Sequence, residues 1–284
     1  MKPGYSRDPQ QDQIPTEVVV NYLQSISKYE KKRKEAITFL YHNQSQIPNL
    51  AIYLWFSPGT ATSLLSDIIS FYQNLTTGKF ETLDTEFIIT IFHLFKLIAA
   101  DPDTRIPFVK ANIPLYFFPF LQYTVTKQES LRLTAAVIGV FTSLVSQDSP
   151  EVINYLVNNQ FIPICLAVLC YSCGLVQTAG AYVLLKMIQN PTGLNSICSS
   201  VEKVTPVLKF LNNTLINSSQ EFSIDTAKYF TKIYNLIMES SQEIKKLVSE
   251  NIPDQILTFS LKTSPDPSFK DLITNLQNLA KRRK

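Results

Sequence analysis

The chain has 284 residues, 45% of them apolar, which is enough to build one large domain or two small ones around a sizeable core. A net charge of +3 is too mild to imply a nucleic-acid partner by itself, and 7 glycines against 16 prolines argue against a sheet protein turned by glycines. Composition therefore predicts an all-α chain of helices punctuated by proline, and excludes a low-complexity, unfolded one.

Residues 1–15, MKPGYSRDPQQDQIP, carry three prolines and few apolar groups and read as a disordered tail, with helical patterning from Thr16. No leader pattern precedes it and Gly4 is misplaced for myristoylation, so residence in the cytoplasm, extending to the nucleus, is expected. Lys28 to Lys34 (KYEKKRK) form a basic cluster in which Glu30 and Lys34 stand at i, i+4, the pattern of a solvated helix face.

Leu54 to Ile69 read LWFSPGTATSLLSDII. Ser57 is suited to cap a helix, Pro58 to open it, and Gly59 and Thr60 to complete its first turn. From Ala61, the residues Leu64, Leu65, Ile68 and Tyr72 recur at helical spacing toward a core, with Trp55 as an anchor behind them. The polar stretch 76–86 reads as an enlarged loop. Phe87 to Ala100 is the most apolar window, but it is short for a bilayer and interrupted by His93 and Lys96, so a buried core helix is expected and no membrane span.

Three later segments share one pattern, a short apolar helix, a polar elbow, Ile-Pro and a second apolar helix: 104–121, 150–169 and 241–260. With weaker copies at Pro48 and Pro206, the elbow prolines Pro48, Pro114, Pro163, Pro206 and Pro253 lie 66, 49, 43 and 47 residues apart. Upstream of the last four stand Asp101-Pro102, Ser149-Pro150, Asn190-Pro191 and Ser240-Ser241. Proline suits the first turn of a helix, so each period divides into one short helix and two longer ones. Three-helix units of roughly 40 to 47 residues are the armadillo or HEAT signature and predict a solenoid with one continuous core between stacked repeats. Its single domain is expected over 16–280, followed by the basic end Lys281 to Lys284. Polar residues expected along the concave last helices are Gln122, Lys209, Asn212 and Asn213.

No constellation for catalysis emerges. His42 and His93 lack an acid–base context, and no Gly-rich phosphate loop, HExxH or nucleophile elbow occurs. Cys165, Cys170, Cys173 and Cys198 are spaced C-x4-C-x2-C-x24-C, with a single distant cysteine where a zinc ribbon brings two close pairs together, which suits buried free thiols better than a zinc site. No enzyme, metal or cofactor is expected.

The strings LWFSPGTATSLLSDI, DPDTRIPFVKANIPLYFFPFL, LRLT, EVINYLV, FIPICL, PTGLNSIC and NIPDQI follow one another in the order found in the "required for cell differentiation" (Rcd-one) family. The resemblance runs from about residue 17 to 280. It implies an all-α, armadillo-repeat, right-handed superhelical solenoid of about six three-helix repeats, and a non-catalytic adaptor of the Ccr-Not messenger RNA deadenylase complex. Such an adaptor docks on the Not scaffold subunit and receives short linear peptides of RNA-binding repressors, promoting deadenylation, translational repression and mRNA decay. The scaffold-binding positions it implies are Phe56, Pro58, Thr62 and Ile69. Where the family builds paired tryptophan-accepting pockets from a tyrosine and two arginines, this chain has Val201, Lys203 and Glu243, so weak or altered affinity for tryptophan-containing motifs is expected. Arg132, in the LRLT segment, is carried across as a concave-groove contact. Two other partner classes stay open: single-stranded nucleic acid bound directly in the concave groove, and a second copy of the chain.

Overall fold

The computed structural model describes residues 13–78, 82–124, 130–171, 174–217 and 223–253, with Thr274 and Asn278. Among these residues there are sixteen α-helices, two short 3-10 turns and no strand. The chain divides into two compact units, Met1–Tyr116 and Phe117–Lys284. Residues 1–12 of the expected tail, Cys173 and the basic end 281–284 lie outside the described residues. Ile14 is tied down, its amide donating to the Gln46 carbonyl at 3.0 Å.

The first unit holds α1 (Thr16–Lys28), α2 (Glu30–His42), α3 (Leu50–Phe56), α4 (Thr60–Ser70), α5 (Tyr72–Thr77), α6 (Thr82–Ala100) and α7 (Pro102–Lys110). Helix α6 is its centre and packs on α2, α3, α4 and α7. Its apolar residues Ile88, Ile91, Phe92, Leu94, Phe95 and Ile98 are all buried, each stabilising the fold by about 2 kcal/mol relative to exposure. The expected core helix over 87–100 is therefore present and begins earlier, at Thr82. Of the enlarged loop expected at 76–86, residues 76–77 belong to α5 and 82–86 to α6, so the long first interval holds extra helix, while 79–81 lie outside the described residues.

The DPDTRIP string closes α6. Asp101 accepts from the amides of Asp103 and Thr104 at 2.9 and 3.2 Å, and Pro102 takes the first position of α7. Thr104 Oγ1 donates to the Ile98 carbonyl at 2.7 Å. The buried Arg105 donates through Nε to the Ala99 carbonyl at 2.8 Å and through Nη2 to the Ala100 carbonyl. A cation on the last carbonyls of α6 satisfies its orphan acceptors and matches its dipole.

The second unit holds α8 (Phe118–Thr124), α9 (Leu131–Val145), α10 (Pro150–Asn158), α11 (Phe161–Tyr171), α12 (Gly174–Gln189), α13 (Pro191–Cys198), α14 (Val201–Asn217), α15 (Ile224–Glu239) and α16 (Gln242–Asn251). From α7 onward the chain order is short helix, middle helix, third helix. Like packs on like: α10 on α13 among the short helices, α11 on both α8 and α14, and α12 on both α9 and α15. The predicted punctuation recurs, with Pro150 and Pro191 opening α10 and α13, and Asn190 and Ser241 capping α13 and α16. At the elbows the backbone enters the left-handed region at Asn49, Asn112 and Gln160. Pro206 differs from the reading above: it is the sixth residue of α14, and the elbow there is Ser199-Ser200.

Among the described residues no single helix is long and apolar enough to cross a membrane. Cys165 is buried and its Sγ–H donates to the Gly180 carbonyl at 3.2 Å, with burial pushing the thiol up to about 12. It packs as a small hydrophobe.

Gly193, in α13, sits where a Cβ would fall 1.9 Å from the Met187 carbonyl oxygen at the end of α12. Gly193→Ala is expected to cost about 3 kcal/mol by overpacking, read as a lowered denaturant midpoint; an unchanged midpoint contradicts that close approach. His93, half-buried and stacked on Tyr41 at 5.3 Å, is held below the usual imidazole value of 6.5 by burial and then by Lys96. The unfolded chain takes up this proton more readily, so the contribution is full above pH 6.5 and is lost as pH falls through the depressed folded value. Thermal melts between pH 7.5 and 5.5 should fall less steeply for His93→Phe than for wild type.

Candidate functional site

The turn between α3 and α4 organises the first unit's exposed edge. Thr60 N donates to the Ser57 carbonyl at 3.2 Å, and Gly59 sits at φ 80, ψ −9. With Pro58 before that glycine, these are the requirements of a type II turn. Ser57 thus ends α3 and makes no side-chain cap, and α4 begins at Thr60, two residues later than the sequence suggested. Glycine is needed twice here: for the positive φ, and because a Cβ would stand 3.0 Å from Ser27 Cβ of α1.

The turn splits α3 and α4 into two faces. Leu54, Leu64 and Ile68 are buried, and Phe71 continues that side, with Leu65 and Tyr72 half-buried beside it. Trp55, expected as a core anchor, is half-buried and meets the buried Phe108 edge-on at 6.1 Å. On the other side Phe56 is 60% exposed and Ile69 40% exposed, with Pro58 and Thr62 exposed between them. Thr62 Oγ1 donates to the Gly59 carbonyl at 3.0 Å. Behind this edge Arg33 of α2 donates to Asp67 of α4 at 3.1 Å and to the Ile26 carbonyl at 2.9 Å. Burial raises the Asp67 carboxyl above its usual value against the opposing pull of Arg33.

In the second unit an apolar hollow of ≈ 520 Å³ opens between α10–α11 and α13–α14, walled by Val157, Ile162, Pro163, Leu166, Ile197, Val207 and Phe210. Lys203 lines it. Val201, half-buried at the first position of α14, and Glu243, exposed in the first turn of α16, do not. Glu202 also lines the hollow, and its carboxyl is lowered by a hydrogen bond with Ser200 at its own helix start.

The five concave-groove residues separate. Gln122, Lys209, Asn212 and Asn213 stand on α8 and α14, which are middle helices of their repeats, not last helices as predicted. Lys209, Asn212 and Asn213 share a hollow of ≈ 280 Å³ with Asn251. Asn212 is spent internally, donating to the Asn251 carbonyl at 2.8 Å and accepting from the buried Tyr234 hydroxyl at 2.5 Å. Arg132 alone of the five lies on a third helix, exposed in the first turn of α9.

Sequence reading missed what the third helices assemble. Tyr182 of α12 and Tyr229 of α15 meet at 5.6 Å, and Lys186 lies 5.8 Å over the Tyr182 ring. Lys186 Nζ donates to both carboxylate oxygens of Asp148, at 2.8 and 2.9 Å. Lys232 of α15 is exposed on the same helix as Tyr229. A signal existed: the two tyrosines are 47 residues apart, the spacing of Pro206 and Pro253.

Like helices stacked on like at a three-helix period define an armadillo-type repeat protein. Solved structures agree: a computationally designed armadillo repeat protein for modular peptide recognition superposes with a TM-score of 0.64 at 12% identity, covering 92% of this chain and 99% of the design. A second designed armadillo repeat protein gives 0.60 at 12% identity with the same coverage. The chain belongs to the cell differentiation family, Rcd1-like, whose model matches residues 22–279. It is 31% identical to the cell differentiation protein rcd1 of Schizosaccharomyces pombe, over 87% of this chain and 89% of that protein. It is also 31% identical to Protein CAF40 of Saccharomyces cerevisiae, over 80% of this chain and 61% of that longer protein.

Proposed function

We propose that the chain is a non-catalytic adaptor of the Ccr-Not complex that docks on the Not scaffold through the α3–α4 edge and brings repressor peptides to the deadenylases. Membership of the Rcd1-like family supports the complex. The observation that carries the docking surface is the outward pairing of Phe56 and Ile69, exposed by 60% and 40% across a glycine-proline turn whose inner side is fully occupied. Apolar side chains held outward by a rigid turn form an anchor at no ordering cost.

The peptide-receiving role is modified. Lys203 at the rim of the apolar hollow supplies a cation, but Val201 and Glu243 supply neither a stacking wall nor a second cation. The Tyr182–Tyr229 pair, with Lys186, Lys232 and Arg132 on the third helices, favours a second reading in which single-stranded nucleic acid lies along that ladder.

In a pull-down from cell extract, Thr62→Tyr with Ile69→Asp is expected to lose the deadenylase subunits that wild type retains; equal recovery removes the edge from the docking surface. A tryptophan-rich peptide titrated against the purified chain should bind at least about tenfold more weakly than to a relative with the tyrosine and arginines, since each stacking or cation–π contact is worth about 1 kcal/mol. Equal affinity contradicts the altered pocket. For the second reading, Lys232→Glu should weaken salt-dependent binding of a uridylate oligonucleotide and leave the scaffold pull-down unchanged, whereas unchanged oligonucleotide binding removes the ladder.

A further inference from the structure

The basic cluster at the junction of α1 and α2 divides by what each side chain does. Arg33 is committed inward, to Asp67 and the Ile26 carbonyl. Lys34 reaches Asp84 of α6 at 4.0 Å and lies 5.1 Å over the Phe87 ring, so its ion pair is with Asp84 and not the Glu30 expected from spacing. Glu30, exposed at the start of α2, adds a small like-charge effect that helps to raise the Asp67 carboxyl. Lys28, Lys31 and Lys32 are all exposed, and between them Tyr29 is 57% exposed, on extended backbone at φ −125, ψ 93.

Lys28, in the last turn of α1, matches that helix's dipole, but the fold gains nothing from the other two lysines. Lys31 and Lys32 occupy the first turn of α2, where a cation opposes the helix field, and three like charges crowd one elbow. A bare tyrosine on the same elbow exposes ring surface that packing would bury. Three cations around one exposed aromatic face are instead complementary to a ligand with regularly spaced negative charges and flat rings. An acidic peptide satisfies the lysines and leaves the ring idle.

We propose that Lys28, Tyr29, Lys31 and Lys32 form a contact site for single-stranded RNA, the lysines meeting phosphates and Tyr29 stacking on a base. The four residues belong to the first unit and are not among those of the α3–α4 edge, which the end of α1 adjoins where Ser27 lies against Gly59, nor are they the third-helix tyrosines, so the proposal neither requires the scaffold docking nor restates the groove reading.

The test uses the full chain and a fluorescently labelled fifteen-nucleotide oligouridylate, with affinity followed against salt concentration. Lys28→Ala, Lys31→Ala and Lys32→Ala together should weaken binding about tenfold or more and reduce the slope of log affinity against log salt by about 2, since each phosphate contact on a single strand contributes about 0.7. Tyr29→Ala should weaken binding about fivefold or more with the slope unchanged, because stacking releases no counterions. The triple variant should melt within a few degrees of wild type, since two cations leave the positive end of α2 while one leaves the negative end of α1. The proposal is overturned if wild type does not bind the oligonucleotide, if the triple variant binds it with wild-type affinity and slope, or if that variant unfolds at markedly lower temperature. It is overturned equally if the substitutions weaken binding to a polyglutamate peptide or to phosphatidylserine vesicles while oligonucleotide binding is untouched. Lys232→Glu serves as the separate arm: a loss there with none at the elbow supports the ladder and sinks this site.

Discussion

A helix of six to nineteen residues with an apolar stripe cannot bury that stripe by itself, and a chain built from such helices has to end each one on time so that the next can fold back over it. That constraint governs this molecule. Helix α6 is ended by Asp101, Pro102, Thr104 and Arg105, which satisfy its last carbonyls and start α7 at once. Asn190-Pro191 does the same between α12 and α13, where Gly193 lets the new helix lie directly on the Met187 carbonyl. Because each stop is placed at a repeat length, third helix lands on third helix, and α12 becomes buried between α9 and α15.

Functional surfaces are what this stacking leaves over. Leu64 and Ile68 are consumed by the core, so Phe56 and Ile69 are turned outward by the same helix geometry. The turn at Pro58-Gly59 then fixes their spacing with no mobile loop, and the Arg33–Asp67 pair ties α4 back to α2. In the second unit, the hollow beside Lys203 is a gap between successive repeats, walled by residues that each repeat supplies to its neighbour.

Much of this was legible in the sequence because it depends on punctuation. Pro102, Pro150 and Pro191 announce helix starts through their missing N–H, and the repeat length followed from the spacing of the elbow prolines. Features that depend on competition between local signals were less legible. Ser57-Pro58 has the form of a cap and first helical position, yet Gly59 favours a type II turn and shifts the start to Thr60. Pro206 resembles the elbow prolines but lies close enough to the start of α14 for the helix to accommodate it. Asn212 looks like a free amide until Tyr234 and Asn251, 22 and 39 residues further on, are brought against it. The Tyr182–Tyr229 pair is invisible to local patterning because its partners belong to different repeats.

The central claim is that the outward face of α3–α4 is where the Not scaffold docks. Hydrogen–deuterium exchange of the chain with and without the purified scaffold subunit tests it most directly, because it reads every helix in one experiment. Slowed exchange concentrated in the amides of residues 56–72 is the predicted result. Protection confined to α9, α12 and α15, with residues 56–72 unchanged, would contradict it.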